Sequence, residues 1–113
     1  MEVQNHYAVL GDIGGTNFRL RLVDIKSRKI VREVTYMTKD YKSFADYIDR
    51  LLEQSHVSDV KHIILAIRGV VVGGECLTDF PGESEKRLRE HYKDVPDVRF
   101  MNDVEGMAQG ILY

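Results

Sequence analysis

Tyr7-Ala8-Val9-Leu10-Gly11-Asp12-Ile13-Gly14-Gly15-Thr16-Asn17-Phe18-Arg19-Leu20-Arg21-Leu22-Val23-Asp24 holds the pattern that decides the fold. An apolar run from Tyr7 to Ile13 stops at two adjacent glycines, and beyond them Phe18, Leu20 and Leu22 alternate with Arg19, Arg21 and Val23. A period of two puts alternate side chains on opposite faces of a strand. The stretch therefore predicts a strand, a Gly-Gly turn and a second strand over Asn17 to Asp24. Ile25 to Lys29 is polar and turn-like, and Ile30 to Met37 is rich in β-branched residues, which predicts a third strand closing a meander.

From Phe44 the period changes. Phe44, Tyr47, Ile48, Leu51 and Leu52 fall on one helical face behind Ser43 and Asp46, which stand at capping-box spacing. Lys61 to Arg68 predicts a buried strand, continued by Val70 to Val72 and turned back at Gly73-Gly74 toward Glu75 to Thr78. Ser84 to Tyr92 predicts a mostly exposed helix, Val98 to Met101 a short strand, and Asp103 a cap for a last helix carrying Val104, Met107, Ala108, Ile111 and Leu112. The order βββαβαβα, with right-handed crossovers, predicts an α/β fold. It is a five-stranded mixed sheet of order 3-2-1-4-5 with helices on both faces, as in the ribonuclease H-like fold. Residues 1–113 are expected to form one such lobe.

Composition narrows the function. The 113 residues are 43% hydrophobic and 30% charged, with two Pro and nine Gly, which fits one globular domain and leaves no room for a wide cleft between two lobes. Sixteen Lys and Arg against eighteen Asp and Glu give a net charge of −2, which supplies no basic field for a phosphate polymer, so nucleic acid is not an expected partner. The single Cys76 cannot form an internal disulfide, and the longest apolar run, Ile63 to Ile67, is far below a membrane span. A cytoplasmic protein without a membrane partner is expected.

Two segments carry chemistry. Adjacent Gly14 and Gly15 permit positive φ, so the turn can aim successive N–H groups into a nest for phosphate oxygens. Asp12, at the carboxyl end of the first strand, can hold Mg²⁺ directly or through water, and the Thr16 hydroxyl can add a hydrogen bond. A tight hairpin would use the same glycines without any ligand. Asn102-Asp103 follows the strand Val98 to Met101, and ligands of open α/β sheets gather at the carboxyl ends of strands. Asp103 can accept a hydroxyl proton and Asn102 can hydrogen-bond sugar-type hydroxyls; Asp103 is equally suited to cap a helix. His6, His56, His62 and His91 lack paired metal-ligand spacing, and the Glu83 to Glu90 charge run reads as a solvated helix face. Arg68, at a strand end, can meet a phosphate or a carboxylate.

Gly11 to Arg19 resembles the first phosphate motif of the sugar kinases of the actin and hexokinase superfamily. Met101-Asn102-Asp103-Val104-Glu105-Gly106 resembles the Asn-Asp segment of bacterial-type glucokinases, and the element order matches over nearly the whole chain. The resemblance implies ATP-dependent phosphorylation of glucose, or a similar hexose, at its 6-hydroxyl. Asp103 would be the general base, Asn102 and Asp103 sugar ligands, and Gly14, Gly15, Thr16 and Asn17 the phosphate loop, with Asp12 on the Mg²⁺ side. Two departures stand out: Arg68-Gly69-Val70 lacks the family's Gly-Pro step, and Thr78-Asp79-Phe80 replaces Thr-Asn followed by Trp. The family's second phosphate motif and adenosine segment belong to another lobe, so the chain alone is expected to be inactive. A silent binding or assembly module, or a ribonuclease H-type nuclease, are the alternatives. The apolar face of the last helix leads to the expectation of a homodimer.

Overall fold

The first strand, β1 (Tyr7–Ile13), lies at the centre of the computed structural model, hydrogen-bonded on both sides. The structure describes residues 6–14, 16–40, 43–57, 59–67, 71–72, 75–76, 80 and 83–101. On one side β1 pairs antiparallel with β2 (Asn17–Asp24), from Ile13↔Phe18 to Tyr7↔Asp24, and β2 pairs antiparallel with β3 (Lys29–Met37). On the other side β1 runs parallel to β4 (Val60–Ile67). A short hairpin of β5 (Val71–Val72) and β6 (Glu75–Cys76) stands apart as its own sheet, and β7 (Asp97–Met101) pairs parallel with β4. The order β3-β2-β1-β4-β7 is the predicted one, counted over the five strands of the main sheet.

Alternation along the strands sorts the core. Val9 and Ile13, Phe18, Leu20 and Leu22, Ile63, Leu65 and Ile67, and Val98 bury one face. Against them pack Phe44, Tyr47, Ile48 and Leu51 of α1 (Phe44–Ser55) and Leu88 of α2 (Glu85–His91). The Ser43 side chain accepts the Asp46 N–H at 3.1 Å, so the predicted cap forms, and α1 ends at His56 in the left-handed region (φ 55°). Ala8, Leu10, Val23 and Ile64 form a smaller cluster on the other face. Both described helices therefore lie on the first face; the helix expected after Asp103 falls outside the described residues.

The structure corrects one sequence-based expectation about charge. Glu83 is buried, not part of a solvated face, because its carboxylate accepts the Phe44 N–H at 2.9 Å. That N–H is one of the donors a helix start leaves without an intrahelical partner. Three of the four histidines pair with carboxylates: His6 with Asp59, His62 with Asp97 and His91 with Asp49.

Gly11 faces the core, where an added Cβ would sit 2.5 Å from Leu65 Cδ2 and 3.2 Å from Leu20 Cδ2. Overpacking of this kind costs roughly 1–3 kcal/mol. Gly11→Ala is expected to lower the urea midpoint with an unchanged m-value, the shift multiplied by that m-value amounting to this loss. The double variant with Leu65→Ala, which removes the clashing branch, should lose less than the sum of the two single changes.

Candidate functional site

Strands β1, β4 and β7 run in one direction, so all three release the chain at the same edge of the sheet. The register makes Asp12, Ala66 and Met101 consecutive neighbours across them, and on the other side of Asp12 lie Arg19 of β2 and Thr35 of β3. By the strand alternation this row belongs to the face opposite α1 and α2. An open parallel edge of this kind is where α/β sheets bind ligands.

At that edge Asp12, Gly14, Asn17 and Arg19 line a depression of about 120 Å³. The Gly14 N–H donates to the Asn17 carbonyl at 3.0 Å, closing the turn between β1 and β2. A Cβ on Gly14 would stand 3.0 Å from the same oxygen, so close backbone approach is what demands a glycine there. Gly14 does not take the left-handed backbone that the Gly-Gly pair suggests, and its partner Gly15 lies outside the described residues. Thr16 is exposed at the bend. A short 3-10 turn, Thr38–Asp40, approaches from β3: the Thr38 hydroxyl donates to the Gly14 carbonyl at 2.8 Å and the Thr38 N–H to the Thr16 carbonyl at 3.0 Å. No periodic or motif signal in the sequence marks Thr38.

Arg19 is the nearest cation to Asp12 in register, yet its Nε lies 3.8 Å from Glu33, which also binds Arg21. Glu33 thus draws the guanidinium toward β3, and among the described residues Asp12 makes no side-chain hydrogen bond or ion pair. An uncommitted carboxylate beside a polar depression suits Mg²⁺, which keeps most of its water and needs only one or two protein carboxylates beside substrate phosphates. The described residues contain no cluster of three or more His, Cys, Asp or Glu side chains that would make an all-protein metal cage. The volume is of the order of one phosphate group and is too small for a whole nucleotide. Asn102 and Asp103 follow Met101 directly in sequence and lie outside the described residues, as do Arg68, Thr78 and Asp79.

The glucokinase family model matches residues 9–113 of the chain. The chain belongs to the glucokinase family. Glucokinases of Escherichia coli and Shigella boydii are 43% identical to it over 67 residues, which is 59% of this chain and 21% of theirs. The chain thus spans a minor part of the length of its curated relatives. A putative sugar kinase from Cytophaga hutchinsonii superposes with a TM-score of 0.71 at 22% identity, covering 95% of this chain and 39% of that one. A glucokinase from an Antarctic psychrotroph superposes with a TM-score of 0.71 at 21% identity, covering 95% and 35%. At these identities the superpositions establish the fold, that of actin-like sugar kinases.

In this glucokinase-family chain the larger hollow, about 430 Å³, is a different place: it lies between α1 and α2 and is lined by Ser43, Asp46, Glu83, Arg87 and His91 among others. Its buried carboxylate, Glu83, is already engaged at the start of α1, so the hollow is a helix junction and the Asp12 edge is the candidate site. Burial pushes the Glu83 carboxyl above the ordinary glutamate range, against the smaller opposing pull of the Phe44 N–H and of Arg87. An acid raised on folding holds its proton more tightly in the folded state. Its stabilising contribution is therefore full below the ordinary carboxylate range and is lost as pH rises through the raised value. Glu83→Gln keeps an acceptor for Phe44 but cannot ionise. Thermal melts at a series of pH values should show the variant matching the wild type near pH 4 and exceeding it at pH 7.

Proposed function

We propose that the chain provides the phosphate-turn and base-bearing lobe of a glucokinase, which transfers the γ-phosphoryl group of ATP to the 6-hydroxyl of glucose. What supports this most is the row Asp12–Ala66–Met101. It brings the end of β1, with its glycine turn, to the same sheet edge as the end of β7, which lies one strand away across β4 and from which the chain continues into Asn102-Asp103. In this reading Asp103 accepts the proton of the attacking hydroxyl and Asn102 hydrogen-bonds a neighbouring sugar hydroxyl with its amide. Gly15, Thr16 and Asn17 offer N–H groups to phosphate oxygens, Gly14, whose own N–H closes the turn onto Asn17, gives the phosphate a close backbone approach, and Asp12 holds Mg²⁺ directly or through its water. Mg-ATP, when bound, supplies the phosphoryl group and neutralises charge developing on its oxygens. The residues of the lobe orient the acceptor and hold the proton-accepting group in reach, which is the larger part of catalysis in phosphoryl transfer.

The adenosine side of the nucleotide requires further chain, so the 113 residues alone are expected to give no glucose 6-phosphate above background in a coupled assay with Mg-ATP. In a full-length kinase carrying this lobe, Asp103→Asn preserves shape but removes the base, and turnover should fall roughly a hundredfold or more. Turnover that survives the change would leave Asp103 with only its capping role. The proposed homodimer, which would cover Met107, Ile111 and Leu112 of the helix expected after Asp103, should appear as a mass increase in sedimentation over a concentration series. A strict monomer at high concentration would exclude it.

A further inference from the structure

We infer that Thr38 is a positioning residue for the phosphate turn, a role that rests on the reading of that turn proposed above. Thr38 lies outside the Gly11 to Arg19 motif, at the end of the strand β3 two places removed in sequence order from β1. It does not line the depression formed by Asp12, Gly14, Asn17 and Arg19. It grips the turn from behind, at two points: its hydroxyl donates to the Gly14 carbonyl at 2.8 Å, and its own N–H donates to the Thr16 carbonyl at 3.0 Å. Both bonds take carbonyl oxygens of the turn.

That choice has a geometric effect. A trans peptide is planar, with its C=O and N–H pointing in opposite directions, and the described chain contains no cis peptide. The Thr16 carbonyl, fixed toward Thr38, therefore fixes the Asn17 N–H, at the other end of the same plane, away from Thr38. The hydroxyl bond to the Gly14 carbonyl adds a second anchor on the same turn. A nest for phosphate needs its N–H groups aimed at one point before the anion arrives, since donors that must reorient on binding contribute less. A glycine-containing turn has little stiffness of its own, because glycine has the widest choice of backbone angles. The Gly14 N–H to Asn17 carbonyl bond closes the turn from inside but leaves the Gly14 and Thr16 carbonyls free to rotate. Thr38 removes that freedom. Its hydroxyl bond is partly buried, where competition from water is reduced, and its position in a 3-10 turn holds the N–H and the hydroxyl on one side.

The test compares wild type, Thr38→Val, which keeps the β-branched shape without the hydroxyl, and Thr38→Ser, which restores a donor. In the 113-residue chain, amide hydrogen exchange at Gly14 and Thr38 is measured by NMR. In a full-length kinase carrying the lobe, KM for Mg-ATP, KM for glucose and kcat are measured separately. A neutral hydrogen bond of ordinary strength corresponds to about a three- to tenfold effect. Thr38→Val is expected to speed exchange at Gly14 by about that factor and to raise KM for Mg-ATP similarly, with KM for glucose unchanged and Thr38→Ser close to wild type. A bond that merely supports the fold would lower the melting midpoint and the active fraction while leaving both KM values alone, and that result overturns the proposal. Unchanged exchange at Gly14 overturns it as well. If the wild-type kinase shows no Mg-ATP-dependent phosphorylation, the proposed function fails and the phosphate role assigned to Thr38 fails with it; altered exchange would then establish only that Thr38 holds the turn.

Discussion

Everything in this fold depends on β1 being sandwiched between an antiparallel and a parallel neighbour. All seven of its residues pair on both sides, so the strand can neither slip in register nor tilt without breaking two ladders. At Gly11 both neighbours press in: Leu65 from β4 and Leu20 from β2 fill the space that a side chain would occupy. Because β1 is held this way, its carboxyl end is a fixed point. The turn, the Asp12 carboxylate and the parallel ends of β4 and β7 are all located relative to it.

The electrostatics of the exposed face follow from the same register. Asp12 and Arg19 are cross-strand partners and would ordinarily form an ion pair, but Glu33 on the edge strand β3 competes for the guanidinium and also takes Arg21. A carboxylate on an edge strand thus keeps a carboxylate on the central strand uncommitted. At the opposite end of the sheet the balance is different. Burial works to raise the Asp97 carboxyl, yet hydrogen bonds from His62 and Arg99 hold it below the ordinary range, joining β4 to β7 where those strands begin.

Much of the architecture was legible in local pattern. The bounds of β1 and β2 coincide with the apolar run and the alternation, Ser43 caps α1, and the strand order follows from a meander joined to right-handed crossovers. Asp12, Gly14 and Asn17 of the candidate site meet in one depression, joined by Arg19, which lay within the quoted motif without a role assigned to it. What escaped was long-range. Glu83 looked like one charge in an exposed run because nothing nearby in sequence reveals that it reaches the first turn of α1. Thr38 was invisible for the same reason, since its partners Gly14 and Thr16 are brought to it only by the β2–β3 pairing. The need for glycine at position 14 was legible but its cause was not, because contact with a carbonyl three residues on depends on how the turn closes.

The division between meander and crossover strands also orders the molecule in time. β1, β2 and β3 are joined by short turns, whereas β4 reaches β1 only after β2, β3 and α1 have intervened, and β7 reaches β4 only after the small hairpin and α2. The entropy lost on closing a loop grows with its length, so contacts between sequence neighbours form with the smaller entropic barrier. The glycine turn and the Thr38 bonds that hold it belong wholly to the meander and involve only neighbouring strands. The Asp12–Ala66–Met101 row spans the crossovers and waits for the later ones. On the ribosome, then, the turn can be in place once Asp40 has emerged, while the edge it serves is completed only after β7 has docked.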